Sequence, residues 1–140
     1  MTRDLLRREA EAILCRETGA EAVARLCPRC GSSVHGRPLV DGGAHVSLSY
    51  ARDLVAVAWS WAGPVGIDVE LGDRLEWTRL EALLKAGGEG IADRLADPVD
   101  LPDVPTAVLP MPDGYVGTLV GQDVSWRLAG PGAPAAATST

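Results

Sequence analysis

The chain has 140 residues, 46% of them hydrophobic, with 16 glycines, 10 prolines and a formal net charge of −6. That length suits one domain, or two small half-domains sharing a core, and an acidic whole argues against general nucleic-acid binding. No run approaches the ~18 uninterrupted apolar residues of a membrane span, and Met1 to Ala20 lacks the apolar core of a signal peptide, so a soluble cytoplasmic protein without a membrane partner is expected.

At the N-terminus Thr2 is placed to cap a helix whose apolar stripe is Leu5, Leu6, Ile13 and Leu14. Gly19 breaks it before a further turn from Ala22 to Leu26. Residues 1–37 hold seven Arg against five acids, and residues 38–140 hold six basic residues against fourteen acids, which makes the first part the place to meet an anion. Cys27-Pro28-Arg29-Cys30-Gly31 with His35 has the shape of half a zinc site, which His45 or Cys15 would have to complete. The alternative is a reduced, inert turn, and three cysteines, an odd number, suit a reducing compartment. Gly36-Arg37-Pro38 then forms a tight loop presenting one guanidinium, a group suited to bidentate phosphate contact.

From Ala44 the pattern turns to strands at Val46–Tyr50, Leu54–Trp59 and Val65–Glu70, and their short connections predict an antiparallel meander. In the third strand Val65, Ile67 and Val69 alternate with Gly66, Asp68 and Glu70, so both carboxylates share one face, about 7 Å apart. Two like charges so placed repel unless a positive group lies between them, and a hard cation such as Mg²⁺ is the simplest candidate. A helix over Glu76–Ala86 follows, with Trp77, Leu80 and Leu84 as its inward stripe and Gly87-Gly88 as its stop. Glu81 and the chain's one lysine, Lys85, stand four residues apart on another face, where they can pair on the surface. A Pro- and Asp-rich connection, Ala96–Pro105, leads to strands at Ala107–Leu109, Tyr115–Val120 and Val124–Leu128, and a Gly/Pro/Ala/Ser/Thr tail over 130–140 is expected to be disordered. Both parts thus read as a helix, a connection and three strands.

In this order, Cys27-Pro28-Arg29-Cys30-Gly31 with His35-Gly36-Arg37-Pro38, His45-Val46-Ser47-Leu48-Ser49-Tyr50, Val55-Ala56-Val57-Ala58, Gly66-Ile67-Asp68-Val69-Glu70, and Trp77-Thr78 with Glu81-Ala82 and Lys85-Ala86-Gly87 resemble the 4′-phosphopantetheinyl transferase superfamily. The similarity is to the surfactin-type enzymes of actinobacterial secondary metabolism. It implies an α+β pseudo-dimer of two halves, each a helix plus three antiparallel strands, here 1–72 and 73–129. It also implies transfer of the phosphopantetheine arm of coenzyme A to a serine of an acyl or peptidyl carrier protein. By the same resemblance Asp68, Glu70 and Glu81 hold Mg²⁺, Glu81 is a candidate base, Lys85 reaches a phosphate oxygen, Arg37 contacts the nucleotide, and Ser49 lies beside the coenzyme. Tyr50 stands where the motif has His and Leu80 where it has Lys, and only six residues separate Glu70 from Trp77 where a longer helical segment is usual. These departures carry the alternative reading: a protein of this kind turned to another biosynthetic reaction in the same cleft, or to binding coenzyme A or a carrier without turnover.

Overall fold

A computed structural model describes residues 2–26, 37–87, 104–134 and 138–139. The expected Cys27/Cys30/His35 half-site and most of the Ala96–Pro105 connection lie outside them. The described chain is mixed α and β, with two helices and antiparallel sheets. Helix α1 (Arg3–Thr18) starts where Thr2 Oγ1 accepts the Leu5 N–H at 3.3 Å, and ends at Gly19 in the left-handed conformation, φ 80°. Its buried stripe is Leu6, Ala10, Ile13 and Leu14, whereas Leu5, expected to point inward, is exposed. The expected turn over Ala22–Leu26 ends instead in strand β1 (Ala24–Leu26), which forms a small antiparallel ribbon with β2 (Arg37–Leu39).

Strands β3 (His45–Ala51) and β4 (Leu54–Ser60) form the predicted hairpin, turning through Arg52 at φ 54°. The meander stops there. Strand β5 (Gly66–Leu71) does not pair with β4 but with β7 (Tyr115–Val120), which also carries β6 (Thr106–Val108). Strand β8 (Ser125–Ala129) returns to pair with β4, and β9 (Thr138–Ser139) pairs with β8 inside the tail expected to be disordered. The third strand of each three-strand run therefore joins the sheet of the other run. The reason lies in β4, Leu-Val-Ala-Val-Ala-Trp-Ser, which is buried at every position. Such a strand needs covering on both faces. One face packs Val55, Val57 and Trp59 on α1, and the other packs Leu54, Ala56 and Ala58 against Ile67, Val69 and Leu109.

Helix α2 (Leu75–Ala86) lies on the outer face of the β5–β7–β6 sheet through Ala82, Leu83, Ala86 and Val120. Its buried positions are Thr78, Ala82, Leu83, Leu84 and Ala86, so the helix is turned from the expected stripe of Trp77, Leu80 and Leu84, of which only Leu84 is fully buried. Trp77 is half-buried, with the Arg74 guanidinium over its ring at 4.8 Å. The rotation follows from Gly66. A Cβ there would lie 1.8 Å from the Ala82 carbonyl oxygen, so the missing side chain admits the helix backbone itself and small residues line the contact.

Candidate functional site: a carboxylate cluster at the seam of two sheets

Strand β5 and strand β3 are edges of different sheets, and they meet side by side without a backbone ladder. Serine hydroxyls of β3 replace that ladder. Ser47 Oγ accepts the Ile67 N–H at 3.1 Å, and Ser49 Oγ accepts the Val69 N–H at 2.9 Å. Two buried amides of β5 are thereby satisfied that would otherwise cost a lost hydrogen bond each.

Lys85 closes the seam from α2. Its ammonium donates to Leu48 O in one sheet at 3.0 Å, to Ile67 O in the other at 2.9 Å, and to Asp68 Oδ1 at 3.0 Å. An ammonium has three donors, and all three are engaged. The surface pairing with Glu81 that helical spacing allows is not among the described ion pairs; Lys85 is bound to Asp68 instead.

Asp68 is 6% exposed, on the face of β5 that looks toward α2. Its Oδ1 accepts from Lys85 and, at 3.2 Å, from Ser49 Oγ, while its Oδ2 is buried without a hydrogen-bond partner among the described residues. Glu81 Oε1 is in the same condition. Burial raises the pKa of Asp68 above its usual range, and the Lys85 ammonium and the Ser49 hydroxyl offset this only in part. Glu81 is raised by burial and then by the charges of Asp68 and Glu70, against the pull of Lys85. Glu70 is raised by burial and by Asp68, with Arg74 and Lys85 opposing. Asp68, Glu70, Glu81 and Lys85 thus share one electrostatic neighbourhood.

Among the described residues no group of three His, Cys, Asp or Glu side chains is arranged to hold a metal ion. The donor chemistry nevertheless suits a hard divalent cation, because two buried carboxylate oxygens have no partner and three carboxylates face one ammonium. Tyr50 and Arg37 are not brought to this cluster by any described contact. Tyr50 alternates with Ser49 along β3, so its ring packs on the α1 side under the Arg3 guanidinium at 4.3 Å. Arg37 is exposed on β2, opposite Leu26.

The sequence reading named no role for Ser47, Gly66 or Thr78. Thr78 Oγ1 lies 2.8 Å from Thr118 Oγ1 and ties α2 to β7. A glycine inside a strand pattern signals close backbone approach, and two serines two apart in an otherwise apolar strand signal a polar edge. A cleft of about 420 Å³ lined by Glu9, Arg16, Leu128 and Pro134 among others runs along α1 and shares no residue with the carboxylate cluster. Comparison of this chain with protein-family models, with curated proteins and with solved structures gives no match.

Proposed function

We propose that the chain is a Mg²⁺-dependent phosphopantetheinyl transferase, moving the phosphopantetheine arm of coenzyme A onto a carrier-protein serine. The observation that carries the reading is the pair of buried, unpartnered carboxylate oxygens, Asp68 Oδ2 and Glu81 Oε1, on the two segments whose motifs resemble that superfamily. Asp68, Glu70 and Glu81 are the residues that would hold the ion, which when bound supplies charge neutralisation on the pyrophosphate. The carrier serine oxygen bonds to the phosphorus bearing the pantetheine arm, and the bond to the bridging oxygen breaks, releasing 3′,5′-adenosine diphosphate. Glu81 takes the serine proton, a role its raised pKa suits. Lys85 keeps Asp68 in place and compensates part of its charge.

Incubation with coenzyme A, Mg²⁺ and a panel of apo carrier proteins, read by mass spectrometry, tests this. Modification of one carrier that requires the metal is the expected result. No modification at high protein concentration, where an ordinary transferase succeeds, sinks the reading.

A second reading is favoured by Lys85 and Tyr50: the ammonium has all three donors engaged, and the phenol is turned to the α1 side. With neither group extended toward a phosphate, the same site would bind coenzyme A or a carrier without transfer, or serve another biosynthetic reaction. Calorimetry separates the two, because the second predicts Mg²⁺-dependent coenzyme A binding without turnover, or no such binding.

A further inference from the structure

We infer that Ser49 is a positioning residue for Asp68, setting which of its carboxylate oxygens is free for a divalent cation, and is not a ligand contact in its own right. The inference rests on the reading of Asp68 and Glu81 as cation ligands. Ser49 has one hydroxyl proton. Its Oγ already accepts the Val69 N–H at 2.9 Å, and the alternative acceptor, Val69 O, is 3.5 Å away, so the proton goes to Asp68 Oδ1 at 3.2 Å. Lys85 holds that same oxygen at 3.0 Å.

The torsion that swings a carboxylate is soft. With two donors on Oδ1 and none on Oδ2, the carboxylate of Asp68 has one held oxygen and one open one. Groups that hydrogen-bond a metal ligand orient it and tune its affinity. Ser49 meets that description from a neighbouring strand, and its own orientation is dictated by the backbone of β5, the strand that bears Asp68.

Ser47 supplies the control. It sits on the same face of β3, is equally buried, and accepts an N–H of β5 in the same way, yet its described contact is with Ile67 and not with Asp68. Ser47→Ala and Ser49→Ala remove equivalent seam bonds, and only the second alters Asp68.

The test measures Mn²⁺ affinity of the full chain by electron paramagnetic resonance of the free ion, with thermal melts alongside. If Ser49 positions Asp68, Ser49→Ala weakens Mn²⁺ binding about tenfold or more while Ser47→Ala stays within about twofold of wild type, although both lower the melting temperature. Ser49→Cys, close in size but a weak donor, should follow Ser49→Ala, which keeps the test decisive if the alanine variant folds poorly. Equal affinities for the two alanine variants would overturn the inference and leave the cation site standing. A wild-type chain that binds no Mn²⁺ would remove the cation site, and the inference with it.

Discussion

Glu81 concentrates the chemistry of the site because its carboxylate is partly desolvated, faces two other acids, and has one oxygen with no partner. Glu81→Gln keeps the shape and removes the base, so carrier modification should fall at least about hundredfold by mass spectrometry. Stability should hold or rise in the same variant, because a partly desolvated charge beside two other acids is gone. The pH dependence has a definite sign. Asp68 is raised from 3.8, and Glu70 and Glu81 from 4.5, so the folded state binds their protons more tightly than the unfolded chain does. The stability this contributes is present below those ordinary values and is lost as pH rises through the raised ones. Thermal melts across that range should show a downward slope that Glu81→Gln flattens. Mg²⁺ should raise the melting temperature at neutral pH, where the carboxylates are ionised, and not at about pH 4. A Mg²⁺ effect independent of pH would contradict the assignment.

At the level of elements, everything near Asp68 depends on how closely α2 approaches β5. Gly66 sets that distance, and its neighbours are backbone atoms of Ala82 and Ala86, which cannot swing aside as a long side chain would. Gly66→Ala is expected to cost about 3 kcal/mol or more in denaturant unfolding, at the upper end of ordinary overpacking. The same substitution should weaken Mn²⁺ binding, because a displaced α2 carries Glu81 away from Asp68. Unchanged stability would mean that the helix does not seat where described. Leu80, which stands where the resembled motif has Lys, is half-buried, and none of its atoms is among those that meet Gly66.

For the molecule as a whole, the seam between the two sheets is the joint on which the site is built. One ammonium bonds a carbonyl from each side of it. Lys85→Met leaves Leu48 O, Ile67 O and Asp68 Oδ1 each one donor short. The side chain is 29% exposed, so water replaces part of the loss, and the expected cost is about 2 kcal/mol. Hydrogen exchange should localise it: the Ile67 and Val69 amides should exchange faster in this variant while those of Val55 and Val57 in the central strand stay protected. Uniform acceleration across all four would mean that Lys85 supports the fold generally and not the seam.

Local signals in the chain were sufficient for the capped first helix, the β3–β4 hairpin, the carboxylate face of β5 and the second helix, because capping, turn chemistry and a period of two are properties of neighbouring residues. The same patterns put Asp68 with Glu70 on one strand face and Glu81 with Lys85 on one helix face, while only the family resemblance joined the two pairs. They did not tell which sheet β5 would join, because a fully buried β4 is covered on both faces and the choice depends on β7 and β8, more than forty residues away in sequence. Nor did they show that α2 would bury Thr78, Ala82 and Ala86 in place of Trp77 and Leu80, that Tyr50 would lie under Arg3, or that Lys85 would direct two of its donors to backbone carbonyls. Those outcomes follow from long-range packing: a missing side chain at Gly66 admits the helix, and two edge strands without a ladder recruit hydroxyls and an ammonium to satisfy their backbone.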